Sequence, residues 1–359
     1  MKKAIVFPYS NSCCEILRYR DMIPEYEIVG AVAPGGMGIK DRDAGFVDGG
    51  TDIGIKVTTE VDYDSGFDAF IIMSDMDNEY IIRATEYYIR EGLDNEKNFI
   101  FLSKPNEQIM SIFNGKENRM LDLSDDWLNT KYVEKLYKIE TPVIAVAGVA
   151  ELTQKFKIQL EINKYMKERG YKVSHVCSKA YGKLFGIHPF PNIMFGKEKE
   201  QDKIYYFNNY LRYIEKMEQP DVIIIGIPGG VMPYNEMFPG YFGITFHETM
   251  QAVKPDVLIM GGLFEKYTDE YFENLSRGIR YKSGVEIDAF NISTFQIDIN
   301  ESEQTKKMQY YKVSHSDADE IVCSCKKHAL FNVMNGTDGR RMAELAERKL
   351  LEYAETQAI

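Results

Sequence analysis

Short apolar runs alternate with amphipathic segments along the first third of the chain. Four runs have the length and the flanking turn residues of buried strands: Lys2–Tyr9, Tyr26–Pro34, Phe67–Asp75 and Lys97–Pro105. Between them, Asn78–Leu93 has the apolar spacing of an amphipathic helix. Apolar runs of this length separated by helices predict βα units and a parallel sheet. The fold class is therefore predicted to be α/β, with a Rossmann-like N-terminal domain.

The position of the glycines argues against a dinucleotide site in this domain. A dinucleotide fingerprint places G-x-G-x-x-G directly after the first strand, where this chain has "PYSNSCC". The glycines of "PGGMGIKDRDAGFVDGG" follow the second strand instead. We expect them to be loop residues with positive φ, and a functional loop is the alternative. A nicotinamide or flavin site is not expected here.

A domain boundary is predicted where the alternating pattern pauses. Residues 118–139 suggest a helix capped near Ser124 and carrying Trp127, and "ETP" then breaks it before "VIAVAGV". The prediction is a Rossmann-like domain over 1–138, with a connecting helix over 118–138, followed by a second domain over 139–359.

The second domain repeats the α/β rhythm. Its predicted strands are "VIAVAGV", "YKVSHVCS", "DVIIIGIP", "DVLIMGGL" and a later "ISTFQIDI". Its predicted helices are Gln154–Arg169, a tyrosine-rich one around "IYYFNNYLRYIEKME", "GITFHETMQAV", "TDEYFENLSRGIR" and "TDGRRMAELAERKLLEYAE". This pattern again favours a parallel sheet covered by helices.

The first loop of this domain, "GVAELTQKF", has the layout of a phosphate-binding P-loop with part of the motif missing. Gly148 ends the strand, Lys155 opens the helix, and Thr153 supplies a hydroxyl. Gln154 stands where the motif has its second glycine, and Phe156 stands where Ser or Thr would bind Mg²⁺. The alternative is an ordinary strand–turn–helix with Thr153 as the cap and Lys155 in solvent.

The acids that metal-dependent hydrolysis needs are also missing at the expected positions. A nucleotide-hydrolysing P-loop protein holds its metal with the loop hydroxyl and a carboxylate at the end of a nearby strand. The strand "DVIIIG" ends without an acid, since Asp221 stands at its beginning, and the preceding strand is followed by Ser178 and Lys179. Together with Phe156, these departures predict little or no hydrolysis.

Anion binding does not depend on those acids. Lys155 and Lys179 follow neighbouring strands, and the helix N-terminus between them offers N–H groups to a negative charge. We therefore predict a nucleotide- or phosphate-binding site formed by Gly148, Thr153, Gln154, Lys155, Lys179, Gly229 and Gly230.

Composition restricts the partners. The chain has 359 residues, with 55 acidic and 43 basic side chains and a net charge of -12, which argues against nucleic acid. No apolar run approaches the ~20 residues of a membrane span, so no membrane association is expected. Five scattered cysteines favour a reducing compartment, and the protein is predicted to be cytoplasmic.

A short cysteine–histidine segment is a weak candidate for a metal site. "CSCKKH" places Cys323, Cys325 and His328 within six residues, and these are ligands that zinc or an iron–sulfur cluster accepts. A fourth ligand would have to come from elsewhere. The alternative is a pair of packing thiols beside the strand-like "DEIVCS". No metal is therefore assigned.

The second half resembles the C-terminal P-loop domain of a family of ATPase-like proteins. In that family a Rossmann-like N-terminal domain is paired with a P-loop domain whose loop has the deviant form G-T-S-x-x-x-G-K-F/[ST]. The spacing of Gly148, Lys155 and Phe156 matches this loop, and "PDVIIIGIPGGVMPYN" corresponds to the family's strand with a glycine-rich turn. Over nearly all its length, including "MKKAIVFPYSNSCCEILRYRDMI", the chain is similar to clostridial peptide-maturation-system proteins. Those are encoded beside radical SAM enzymes that modify short cysteine-rich peptides.

The resemblance implies an accessory role in maturing a ribosomally made peptide, with a degenerate P-loop NTPase-like domain. The expected partners are a precursor peptide or a radical SAM maturase, and a homodimer is a candidate assembly. ATP or GTP is the expected ligand, with the need for Mg²⁺ left open. The alternative, from a different class, is an active ATPase or phosphotransferase with an unusual metal site.

Overall fold

The computed structural model describes residues 1–73, 78–124 and 132–357. Trp127 lies outside them. The chain forms two compact units. The first contains Met1–Trp127 and Ala180–Gly186, and the second contains Leu128–Lys179 and Ile187–Ile359. Each unit has its own sheet, and no helix of the described residues is both long enough and apolar enough to cross a membrane.

The first unit is built on a six-stranded parallel sheet with the order β3-β2-β1-β4-β5-β6. This is the strand order of a Rossmann-like fold, as the sequence predicts. Its strands are β1 (Lys2–Phe7), β2 (Tyr26–Val32), β3 (Val57–Thr58), β4 (Ala69–Ile72), β5 (Asn98–Phe101) and β6 (Met120–Asp122). Its helices are α1 (Cys14–Arg18), α2 (Glu79–Asp94) and α3 (Glu107–Ile112).

The long loop between β2 and β3 is held by two aspartates. Arg18 donates to both carboxylate oxygens of Asp48, with Nε and Nη2 at 2.8 and 2.7 Å. Asp43 accepts backbone N–H groups from three residues of the same loop, Gly45, Ile53 and Gly54. Positive φ angles occur at Gly36, Gly38 and Gly49, as predicted, but not at Gly35, Gly45 or Gly50, and Gly45 lies in a 3-10 turn.

The predicted connecting helix over 118–138 is wrong in the described residues. Glu117–Arg119 is a single 3-10 turn, and Met120–Asp122 is the edge strand β6, which pairs with β5. Residues 132–138 form no helix. The amide and carbonyl of Tyr137 bond to the side chain of Asn208 instead, so this stretch is fastened as an extended segment on the second unit.

The second unit contains a seven-stranded parallel sheet with the order β15-β12-β11-β7-β10-β8-β9. Strands β13 and β14 form a separate two-stranded antiparallel sheet. The strands are β7 (Val143–Gly148), β8 (Val173–Cys177), β9 (His188–Pro189), β10 (Val222–Gly226), β11 (Val257–Gly262), β12 (Ala289–Ile292), β13 (Phe295–Ile297), β14 (Tyr310–Lys312) and β15 (Leu330–Phe331). The helices are α4 (Lys155–Glu168), α5 (Glu200–Glu218), α6 (Ile244–Ala252), α7 (Asp269–Ser283), α8 (Ile299–Thr305), α9 (His315–Ser324) and α10 (Asp338–Gln357).

Strand β7 is buried on both faces because helices cover both sides of the sheet. Val143, Ala145 and Ala147 pack in the cluster that contains α5, α6 and α7. Ile144 and Val146 pack in the opposite cluster with α4 and α10. The alternation follows the two-residue period of a strand. A continuous apolar run is therefore what a central parallel strand requires.

The sheet has a topological switch between the neighbouring strands β7 and β10. From β7 the chain passes through α4 to β8, beyond β10, whereas from β10 it passes through α6 to β11, beyond β7. In open α/β sheets, ligands bind in the crevice outside the carboxyl ends of the strands at such a switch. Residues 149–154 after β7 and residues 227–230 after β10 border this crevice.

Two predictions in the second unit need correction. "ISTFQIDI" is divided between β12, which ends at Ile292, and β13 in the antiparallel pair. "DEIVCS" belongs to helix α9. Ser314 and Asp317 form a capping box at the N-terminus of this helix. An apolar run of this length does not distinguish strand from helix, and here the capping residues decided the outcome.

Candidate functional site

The loop after β7 keeps the curled backbone of a phosphate-binding loop without a second glycine. Leu152 and Gln154 have φ angles of 54° and 60°, in the left-handed region. This conformation costs residues other than glycine about 1 kcal/mol or more of conformational free energy. Helix α4 starts immediately afterwards, with the N–H of Ile158 donating to the Gln154 carbonyl at 3.1 Å. The tertiary structure therefore imposes a turn that local propensity disfavours.

Gly148 and Gly261 make room for Thr153. A Cβ on Gly148 would overlap the Thr153 hydroxyl, and one on Gly261 would lie 2.6 Å from the Thr153 carbonyl oxygen. The hydroxyl donates to the carbonyl of Ala150 at 3.2 Å, and the residue is fully buried. Thr153 is thus inside the loop, and the prediction that it caps the helix is wrong. The N-cap is Gln154, and no side chain caps this helix.

Lys155 lies across the loop. Its ammonium donates to the carbonyls of Ala150 and Gly229 at 3.0 and 2.7 Å, and its side chain is 11% exposed. The predicted alternative of a solvated lysine therefore does not hold. Burial lowers the pKa of this ammonium, and the nearby Glu151 carboxylate opposes that shift. Lys155 joins the two loops that border the crevice.

Glu151 is a site residue that the sequence did not single out. One carboxylate oxygen accepts the N–H of Gly229 at 3.0 Å, and the other lies 3.6 Å from the Lys155 ammonium. The positive charge of Lys155 is the main cause of the lowered pKa of Glu151, with Lys179 adding to it. A carboxylate three residues after the strand carries no motif, so only the folded loop reveals its partner.

The other predicted residues lie around the same loop. The prediction that Lys155 and Lys179 follow neighbouring strands is wrong, because β10 lies between β7 and β8. The Lys179 charge nevertheless lowers the pKa of both Lys155 and Glu151. Gly229 contacts Lys155 and Glu151 through its carbonyl and its N–H, as described above. A Cβ on Gly230 would lie 2.7 Å from the Val149 carbonyl oxygen, so this glycine packs against the loop. Gly229 and Gly230 therefore meet the loop of residues 149–154 and Lys155 through their backbone.

The end of β12 supports the loop from the other side. The Ser293 hydroxyl donates to the Leu152 carbonyl at 2.7 Å, and Gln154 Nε2 donates to the Thr294 hydroxyl at 2.8 Å. Gln154 is 6% exposed, and its Oε1 has no hydrogen-bond partner within the described structure. These contacts span about 140 positions of sequence, which is why no local pattern indicated them.

Phe156 points into the interior. It is 3% exposed, and its ring lies 6.3 Å from that of His175 on β8. The Phe156 side chain therefore neither fills the crevice nor offers the hydroxyl that Mg²⁺ binding requires. Beneath it, His175 bonds to Gln159 and Asn163, and burial lowers its pKa to about 3. The imidazole is neutral and serves as a structural contact between β8 and α4.

Among the described residues, the carboxylates near the strand ends do not form a metal centre. Asp221 precedes β10 and accepts the N–H of Lys172, at the opposite edge of the sheet from the loop. In the described part of the chain, no group of three or more His, Cys, Asp or Glu side chains is arranged to hold a metal ion.

The cysteine–histidine segment is spread over separate environments. Cys323 is exposed near the end of α9, whereas Cys325 is buried with its thiol 3.7 Å from the Tyr267 carbonyl. His328 packs beside the rings of Phe272 and Phe290, at 5.8 and 5.9 Å. The three predicted ligands are therefore not arranged around a common point.

No protein-family model and no curated protein matches the chain. Among solved structures, it is similar to a DUF1611 family protein from Anabaena variabilis, with a TM-score of 0.58 and 9% sequence identity. The match covers 98% of this chain and 100% of that one. At this identity the similarity shows the fold alone, a mixed α/β architecture with parallel sheets, which is consistent with a Rossmann-like and a P-loop NTPase-like domain.

Two weaker matches are a GTPase and a protein solved with bound GDP. An apo GTPase from Pyrococcus abyssi has a TM-score of 0.31 and 14% identity, over 59% of this chain and 97% of that one. The signal recognition particle 54 kDa protein from Aeropyrum pernix, in complex with GDP, has a TM-score of 0.30 and 13% identity, over 77% and 63%. These scores are too low to carry an argument about this chain.

Proposed function

We propose that the second unit binds the phosphate groups of a nucleotide, ATP or GTP, at the loop of residues 149–154. The observation that carries this proposal is the position of the Glu151 carboxylate. It lies beside the Lys155 ammonium and accepts the N–H of Gly229. An ammonium, a backbone N–H and an uncapped helix N-terminus at a switch point are groups that bind a phosphate oxygen. The loop already holds an anionic group of its own.

Little or no metal-dependent hydrolysis accompanies this binding. Phe156 is buried, so position 156 offers no ligand to Mg²⁺. Strand β10 ends at Gly226 and leads into Ile227 and Pro228, which have no carboxylate. A nucleoside triphosphate would be bound without a fixed metal, and most of the rate enhancement of P-loop enzymes comes from that metal and the charges around it.

The biological role that we propose is an accessory one, in the cytoplasm, in the maturation of a ribosomally made peptide. The support is the sequence resemblance to peptide-maturation-system proteins. The partner would be a precursor peptide or a radical SAM maturase, and nucleotide binding would control the interaction. Binding of a precursor peptide that changes when ATP is added would support this role.

The binding proposal is tested by calorimetric titration of the full chain with ATP, ADP and GTP, with and without Mg²⁺. We expect binding that Lys155→Ala weakens at least about tenfold, since one charge-assisted contact is worth about 1.5–3 kcal/mol. Lys164→Ala, on the exposed side of the same helix, is the matched control and should leave affinity unchanged. The absence of heat for every nucleotide at millimolar concentration would rule out the proposal.

An active ATPase or phosphotransferase is the second candidate, and Glu151 is the observation that favours it. Its carboxylate lies beside Lys155 and could serve as an unusual metal ligand. Phosphate release that requires Mg²⁺ and disappears in both Lys155→Ala and Glu151→Gln would favour this candidate. Release at the background rate in all three proteins would favour binding without hydrolysis.

A further inference from the structure

The Glu151 carboxylate makes the contacts that a ligand's phosphate oxygens would need. It accepts a backbone N–H from Gly229 at 3.0 Å and lies 3.6 Å from the Lys155 ammonium. Both donors belong to the two loops that border the switch-point crevice. A carboxylate and a phosphate oxygen compete for such donors, because both are anionic acceptors of similar geometry.

The Glu151 carboxylate is placed so that it can move away from the Lys155 ammonium into solvent. The Glu151 side chain is 65% exposed, whereas Lys155 is 11% exposed. Glu151 therefore reaches the buried ammonium from the solvent side, and a rotation of its side chain would return it to water without opening the core. The charges of Lys155 and Lys179 lower its pKa, so it remains ionised at neutral pH.

A second feature shows that protein groups do not satisfy the whole loop. The Gln154 side chain is 94% buried and donates to Thr294, yet its Oε1 lacks a partner within the described structure. Buried polar atoms normally have a partner, supplied by protein, water or ligand. This oxygen is an acceptor, so a donor such as water or a ligand hydroxyl group would satisfy it, and not a phosphate oxygen.

We infer that Glu151 is an intramolecular competitor that occupies the anion position of the loop until a phosphate-bearing ligand displaces it. This inference rests on the proposed binding function. The competition lowers the affinity for every ligand that needs the position by the same factor, since the free protein must give up the same contacts each time. Weakly bound anions are thereby excluded, while a nucleotide with further contacts can still bind.

The test is calorimetric titration of the full chain and of Glu151→Gln with orthophosphate, pyrophosphate and ATP, at high ionic strength and without Mg²⁺. Glutamine has nearly the same shape and no charge. We expect Glu151→Gln to bind all three about tenfold more tightly, the effect of removing one nearby opposite charge from an ammonium. Glu303→Gln, an exposed carboxylate on α8, changes the net charge equally and should have no effect.

The outcomes separate the competitor from other roles. A gain that increases with ligand charge would show simple repulsion and would overturn the inference. Equal affinities for Glu151→Gln and the unaltered chain would overturn it while leaving the binding function intact. In a repeat of the titration with Mg²⁺, weaker binding by Glu151→Gln than by the unaltered chain would make Glu151 a metal ligand and would overturn the inference. If neither protein binds any of the three, both the inference and the binding function fail.

Discussion

The side-chain amide of Gln159 lies directly against Gly226, in the space that a side chain at position 226 would fill. Gln159 is one turn into α4, and Gly226 is the last residue of β10. The same amide accepts from His175 and donates to the Lys155 carbonyl. This contact sets how closely the helix that carries Lys155 approaches the neighbouring strand.

Replacing Gly226 with alanine should therefore destabilise the protein. The added methyl group would overlap the Gln159 amide, and overpacking of this kind costs about 1–3 kcal/mol. Denaturant unfolding would measure the loss. Gly278→Ala is the control, because this glycine lies within α7 with no atom within 4 Å of an added Cβ. That change should stabilise by up to about 1 kcal/mol, since alanine favours helices.

Gln154 tests the strain in the loop. Its φ of 60° suits glycine and is especially unfavourable for β-branched residues. Gln154→Gly loses the bond to Thr294 but relieves strain, so we expect a change below about 1 kcal/mol. Gln154→Val should be less stable than Gln154→Gly by about 2 kcal/mol in denaturant unfolding. Equal stability of the two variants would mean that the turn is not left-handed in solution.

His175 predicts a pH dependence of stability. The unfolded chain takes up this proton near pH 6.5 and the folded protein near pH 3, so lowering the pH favours unfolding between these values. Between pH 7 and pH 5 the free energy of unfolding should fall by about 2 kcal/mol. His175→Gln should be less stable at pH 7, because its network is broken, but should lose less on going to pH 5.

The unfolding free energies of His175→Gln and the unaltered chain should be compared at both pH values. Exposed His247→Gln serves as the control and should keep the original pH profile. If the difference between His175→Gln and the unaltered chain is the same at pH 7 and pH 5, His175 is not held neutral by burial.

Asp48 tests the first unit. Its side chain is fully buried and bonded to Arg18, which is 14% exposed. Asp48→Ala leaves a buried guanidinium without its partner, at a cost of about 3–5 kcal/mol. Hydrogen exchange of the β1–β6 sheet would report the loss. Glu79→Ala removes one side of an ion pair that is more than 70% exposed and should cost less than about 1 kcal/mol.

The apolar runs predicted most of the longer strands of the two main sheets. β1, β2, β4 and β5 in the first unit, and β7, β8, β10 and β11 in the second, coincide with predicted runs. The buried inner strand β12 was largely missed, since its predicted run shares only Ile292 with it. The short edge strands β3, β6, β9 and β15 were missed, since two or three residues at a sheet edge carry no period. The helix predicted through residues 120–122 shows the same limit, because pairing with β5 made that stretch a strand.

The amino-acid sequence by itself determined the alternation of strand and helix, and with it two parallel sheets. It also placed Lys155 and the glycines after β10 at the carboxyl ends of strands. Tertiary structure alone decided the burial of Thr153 and the backbone contact of Glu151, because Gly261 and Gly229 meet them only when β7 is flanked by β11 and β10. Hydrophobic periodicity is a local property of the chain, whereas the backbone groups that hold a loop side chain are brought together across the sheet.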